Sequence, residues 1–140
     1  MAFFGAPNAD PEHARHAVEA AVAMQEVLRI LNAERPAGYP ELRMRIGINS
    51  GEAFAGDIGC EKRMDYTVMG STVNLASRLE SGVARPGQIV VGPRTAELID
   101  RSRLRQMAAV ALKNIEQEVR PFEVLWEHDA PTVVQDGPRG

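Results

Sequence analysis

Asn74 and Arg78 stand four residues apart in Ser71-Thr-Val-Asn-Leu-Ala-Ser-Arg-Leu-Glu80. Val73, Ala76, Leu79 and Val83 recur there at helical spacing, so the segment reads as an amphipathic helix running to about Ser81-Gly82. On such a helix positions i and i+4 share a face, which places the amide and the guanidinium on one side, off the apolar stripe. Arg is always charged and presents two parallel donors that match a phosphate, while a neutral amide can hold a sugar oxygen. The pair suggests phosphoryl chemistry. The plainer account is two polar residues on the wet side of a helix, and spacing alone leaves both open.

The elements that must position this helix can be read from the rest of the chain. Residues 1–4 form a short apolar run ending in Gly5-Ala-Pro7, most simply a strand entering a loop. Asp10 and Pro11 supply an N-cap and a first-turn proline. Ala14, Ala17, Val18, Ala21, Met24, Leu28 and Leu31 then mark the buried stripe of a long helix, ending near residues 32–34 before Pro36 and Gly38. Leu42, Met44, Ile46 and Ile48 alternate with Arg43, Arg45 and Gly47, which predicts a half-buried strand. Asn49-Ser50-Gly51 suits a hairpin loop, with 52–58 as the returning strand. A charged loop over 59–63 precedes a short extended piece, 66–69. After the Asn74/Arg78 helix come a turn at Pro86-Gly87, a strand over 88–91, a short helix from Pro93 to about Asp100, and extended segments near 107–112 and 122–127. The order β-α-β-β-α-β-α-β-β indicates an α+β fold, a mixed sheet with helices packed on it.

Bulk properties narrow the function classes. A chain of 140 residues supports one domain or part of one, and a net charge of −3 argues against a general nucleic-acid binder. Seven aromatic residues (one Trp, two Tyr and four Phe) offer no stacking platform for single-stranded bases. Cys60 is the single cysteine, so an internal disulfide and a cysteine-based metal cluster are excluded. No apolar run approaches the roughly 20 residues of a membrane span, and the first residues lack a signal-peptide pattern. The chain reads as soluble and cytoplasmic. His13 and His16 lie at i,i+3 with no third ligand at hand, and Arg101, Arg103 and Arg105 read as a solvated basic turn.

Three stretches closely resemble the catalytic domain of class III adenylyl and guanylyl cyclases. They are Gly47-Ile-Asn-Ser-Gly-Glu-Ala-Phe-Ala-Gly-Asp-Ile-Gly59, then Arg63-Met-Asp-Tyr-Thr-Val-Met-Gly70 running into the Asn74/Arg78 helix, then Pro86-Gly-Gln-Ile-Val-Val91. Residues 1–7 are similar to the family's third core strand and the loop after it. The resemblance spans about residues 1–125 and implies a ferredoxin-like sheet of the nucleotide cyclase type. It also implies conversion of ATP, less readily GTP, to a 3′,5′-cyclic nucleotide and pyrophosphate. In that chemistry Asn74 would orient the ribose and Arg78 would stabilise charge at the α-phosphate. Thr67 falls at the purine-contacting position, where its hydroxyl can accept from adenine's amino group or donate to guanine's carbonyl. Lys113, in Ala-Leu-Lys-Asn-Ile-Glu, matches a late Lys-Gly segment near the triphosphate, with Asn114 where glycine is usual.

The same resemblance implies two Mg²⁺ or Mn²⁺ ions held by two aspartates, and both matching positions fall upstream of Met1. None of Asp10, Asp57, Asp65, Asp100, Asp129 or Asp136 matches either one. The expectation is therefore a partial catalytic domain over residues 1–128, with its N-terminal strands missing, an open sheet edge, and a disordered tail over 129–140. Its site would be completed in a homodimer or heterodimer with a cyclase domain supplying the aspartates. The alternative is a non-catalytic cyclase-homology module that pairs with, or regulates, a complete cyclase.

Overall fold

The computed structural model describes residues 1–60 and 63–126, with residues 57–60 and 63–68 described by backbone alone. Helix α1 spans His13–Glu34, strand β1 Ile46–Ile48, strands β2 Phe54–Cys60 and β3 Arg63–Met69, and helix α2 Ser71–Gly82. Strand β4 (Ile89–Val91), helix α3 (Pro93–Leu98), a 3₁₀ turn (Arg101–Arg103), and strands β5 (Leu104–Gln106) and β6 (Phe122–Val124) follow. The main sheet has the order β1-β4-β6-β5, with β1 and β4 parallel and the other pairings antiparallel. It is the mixed sheet of an α+β fold.

Strand β4 shows why the layers form. Ile89, Val90 and Val91 are all fully buried. Their side chains alternate between faces, so a central strand covered on both sides must be apolar throughout. Ile89 and Val91 join Ala21 of α1, Ala96 of α3, Phe122, Val124 and Trp126 on one face. Val90 joins Leu79 of α2 and Ala84 on the other. Buried Gln25 ties α1 to the sheet by donating to the Met44 carbonyl oxygen at 3.0 Å, and the Trp126 indole donates to the Gly87 carbonyl oxygen at 3.0 Å.

Several expectations need correction. The alternating stretch from Leu42 to Ile48 forms a strand only over Ile46–Ile48, and Leu42 is exposed. Its predicted hairpin with 52–58 is absent: β1 pairs with β4, and β2 pairs with β3, from Phe54 opposite Met69 to Cys60 opposite Arg63. Alternation reports which faces are wet, not which strand is the neighbour. Gly47, read as lying on the open face, is covered by α2. Residues 1–4 belong to neither sheet. The edge strands of the main sheet are β1 and β5. The extended segment expected over 107–112 is a single bridge, Val110 with Val119, the strand lying earlier at Leu104–Gln106. The arginines read as a solvated turn are exposed, Arg101 and Arg103 in the 3₁₀ turn and Arg105 in β5, and each also makes a contact: Arg101 lies 4.8 Å above the Phe122 ring, Arg103 donates to the Leu125 carbonyl oxygen, and Arg105 pairs with Glu123. The proposed tail lies outside the described residues.

Helix α1 starts two residues after Pro11, with Asp10 organising the turn before it. Its carboxylate accepts the Glu12 N–H at 3.0 Å and bonds His16 Nδ1 at 2.6 Å. The His16 bond, reinforced by the Glu12 N–H, holds the Asp10 carboxyl below the usual carboxylate range. A carboxyl whose value is depressed on folding contributes stability that is complete above its unfolded value and lost as pH falls through the folded one. The melting temperature should therefore fall as pH drops from about 5 to about 3. Asp10→Asn should flatten that dependence, as melts at successive pH values would read directly.

Candidate active site

Strand β3 leads through Gly70 straight into α2. Gly70 has φ +129, a conformation that glycine alone adopts without strain. The helix is then set by its buried side. Leu79 is fully buried in the cluster with Ala84 and Val90, with Leu75, Val83, Met107 and Leu112 packed around it. Along β1 the helix backbone lies so close to Gly47 that a Cβ built there would sit 2.5 Å from the Glu80 nitrogen and 2.7 Å from the Ala76 oxygen. Glu80 itself reaches back to Arg45, Oε2 to Nη2 at 2.9 Å.

With these contacts fixed, Asn74 is exposed and Arg78 half-buried, one turn apart on the remaining face of α2. Among the described residues neither side chain has a hydrogen-bond or ion-pair partner. The acid nearest Arg78 in sequence, Glu80, is engaged by Arg45, so among the described residues the guanidinium fork is open to an anion. A cleft of about 990 Å³ opens between α1, β1 and α2, with Val73, Ala76, Ser77 and Glu80 on its α2 wall. A second, of about 570 Å³, lies beside Gln25, Met44 and Trp126. Asn74 and Arg78 line neither, so the pair faces outward from the fold.

Thr67 is placed by its backbone in β3, opposite Gly56, and its side chain lies outside the described residues. Lys113 is exposed, without an ion-pair partner among the described residues. Its neighbour Leu112 packs into the Leu79 cluster and lies 3.3 Å from a Cβ built at Gly82, so this stretch runs past the end of α2. Asn114 has φ +64. That is the left-handed conformation glycine adopts most easily and Asn tolerates best among other residues.

The described residues do not fit a divalent cation. They contain no group of three or more His, Cys, Asp or Glu side chains that could hold one. Asp10 is committed to His16 and the Glu12 N–H, and Asp100 accepts the Ser102 N–H at 2.9 Å. Asp57 and Asp65 lie where only the backbone is described. No helix is long and apolar enough to cross a membrane among the described residues.

One feature near the pair was not legible from the sequence. Residues 49–51, read as a hairpin loop, and Glu52, read as the start of its returning strand, instead bind the first turn of α2. The Asn49 amide donates to the Thr72 carbonyl oxygen at 3.1 Å, and the Thr72 hydroxyl donates to the Glu52 carbonyl oxygen at 2.5 Å. The available signal was polar: an Asn directly after an apolar strand and a Thr at the second position of a helix.

The sequence profile described as the adenylate and guanylate cyclase catalytic domain matches residues 1–123. The protein named adenylate cyclase 1 of Rhizobium meliloti (strain 1021) is 39% identical over 128 residues, covering 89% of this chain and 19% of that protein. Soluble guanylate cyclase 89Db of Drosophila melanogaster is 42% identical over 81 residues, 58% of this chain and 11% of that one. Among solved structures, the adenylyl cyclase CyaB from P. aeruginosa superposes with a TM-score of 0.80 at 33% identity, over 90% of this chain and 66% of that one. The chain thus spans about a fifth or less of these curated relatives and about two thirds of the solved domain. The sequence motifs, the mixed sheet and the match over residues 1–123 agree: this chain belongs to the adenylate and guanylate cyclase catalytic domain family.

Proposed function

We propose that the chain works in the intramolecular cyclisation of a nucleoside triphosphate, ATP in preference to GTP, and contributes the sugar and α-phosphate half of the site. The observation that carries this reading is the outward-facing pair on α2, with Arg78 half-buried and lacking a counter-ion among the described residues. A fixed cation without an internal partner is suited to an anion brought in from outside. In the reaction the ribose 3′-oxygen bonds to the α-phosphorus while the bond to pyrophosphate breaks. Such a step needs an oriented nucleophile and stabilisation of charge on the phosphoryl oxygens. Asn74 would hold the ribose ring so that its 3′-hydroxyl points at phosphorus. Arg78 would donate both N–H groups of its fork to the α-phosphate as negative charge accumulates. Thr67 would contact the purine, and Lys113, at the end of α2, would balance charge on the departing phosphates.

The family's two Mg²⁺ or Mn²⁺ ions would have to be held by carboxylates outside the described residues, on a partner cyclase domain. The open surface around Asn74 and Arg78 is what a site shared with a partner requires. A second reading, a cyclase-homology module that pairs without catalysing, draws its support from the same donor set, since Asp10 and Asp100 are both committed elsewhere.

Mixing the chain with a cyclase domain that keeps the metal aspartates but has lost its own Asn and Arg separates the two. With Mn²⁺ present, cyclic product should form in the mixture and in neither component alone, faster from ATP than from GTP. Absence of product from the mixture would favour the module.

A further inference from the structure

Helix α2 begins without a side-chain cap: Gly70 occupies the N-cap and offers none. An uncapped start is free to fray or swing unless something else holds it. Here the loop after β1 does so. Asn49 donates its amide to the Thr72 carbonyl oxygen at 3.1 Å, and Thr72 returns its hydroxyl to the Glu52 carbonyl oxygen at 2.5 Å. The loop is itself fixed, because the Ser50 hydroxyl is bonded at 2.8 Å to that of Thr95, fully buried on α3. Two glycines clear the space. A Cβ at Gly92, just past β4, would lie 2.4 Å from Asn49 Oδ1, and one at Gly51, where φ is +153, would lie 2.7 Å from Thr72 Oγ1.

We propose that Asn49 and Thr72 are positioning residues, forming a clamp that sets the first turn of α2 and so aims Asn74 and Arg78. The inference rests on the cyclase reading of that pair. Thr72 lies two residues before Asn74, inside the same turn. Farther along, the helix is seated on β1 where its backbone meets Gly47. With the seat intact and the clamp lost, the helix would pivot about its middle, moving Asn74 most. Displacement of a catalytic group by about 1 Å is enough to slow a reaction about 10²-fold.

The test uses the chain paired with the aspartate-supplying domain, with Thr72→Val, Thr72→Ser, Asn49→Ala and Asn49→Asp. Valine keeps the shape of threonine without its hydroxyl, and serine keeps the hydroxyl. Thr72→Val and Asn49→Ala should lower kcat about 10- to 100-fold with KM changed by less than about threefold. Thr72→Ser should recover most of the rate. Asn49→Asp should not, because a carboxylate would face the Thr72 carbonyl oxygen. Val124→Ala, which opens the core on the opposite face of the sheet, should lower the melting temperature and leave kcat per folded molecule unchanged. Amide exchange in the first turn of α2 should accelerate in Thr72→Val and return to the parent rate in Thr72→Ser.

Parent-like kcat in both Thr72→Val and Asn49→Ala, or an equal loss in Val124→Ala, would overturn the clamp. Unchanged product from Asn74→Ala and Arg78→Ala would instead overturn the cyclase reading. In that case amide exchange alone decides, and parent-like protection in Thr72→Val would sink the clamp as well.

Discussion

Replacing Asn74 or Arg78 by alanine, in the chain paired with an aspartate-supplying cyclase domain, is expected to lower cyclic product formation by about 10²- to 10³-fold each. For Arg78 that would be the cost of removing a donor aimed at charge that develops in the transition state, and for Asn74 the cost of losing the orientation of the ribose nucleophile. The two changes should leave folding almost untouched, within about 0.5 kcal/mol, since neither side chain has a hydrogen-bond or ion-pair partner among the described residues. Loss of Arg78 strands no acid, because Glu80 remains paired with Arg45. The combination is diagnostic. A residue held for packing loses stability and activity together, whereas this pair should lose activity alone. Arg78→Lys should recover only part of the rate, since an ammonium supplies charge without the two-pronged fork. Steady-state assays beside urea melts of the same samples check both halves. Full activity in either alanine variant would remove the basis for a catalytic α2.

How much of this arrangement could be read from the sequence depends on the range of the interaction involved. The end of α1 at Glu34 follows from Pro36, and α2 at Ser71–Gly82 follows from its apolar repeat. These signals lie within a few residues of what they specify. Strand β4 was equally plain, as a run of Ile-Val-Val before Gly92 and Pro93. Pairing was harder. The stretch from Leu42 to Ile48 alternates as a strand should, yet its neighbour is β4, some forty residues on, not the adjacent β2. The Asn49–Thr72 contact crosses 23 residues and has no period to betray it. Asn74 and Arg78 stand out as candidates because helical spacing and a long family motif coincide there. Gly47 looked like one more position on a wet strand face, since nothing local announces that a helix backbone will lie against it.

Gly47→Ala is the change expected to damage the fold most. The added methyl would lie 2.5 Å from the Glu80 nitrogen and 2.7 Å from the Ala76 oxygen, and both atoms belong to the backbone of α2. A side chain could rotate away from such a clash, but a helix backbone cannot, so α2 must lift from β1 as a body. Lifting opens the cluster of Leu79, Ala84 and Val90 and separates Arg45 from Glu80. Overpacking ordinarily costs about 1 to 3 kcal/mol, and contact with rigid helix backbone rather than a movable side chain places this case at the upper end, about 3 kcal/mol. Gly56→Ala is the matched control, a glycine in β2 with nothing among the described residues within 4 Å of the same added atom, and should shift the urea midpoint little. Because α2 also carries the pair, Gly47→Ala should depress product formation even at temperatures where the chain remains folded. A parent-like melt for Gly47→Ala would mean that α2 is not seated on β1 as described, and the aim of Asn74 and Arg78 would then need another origin.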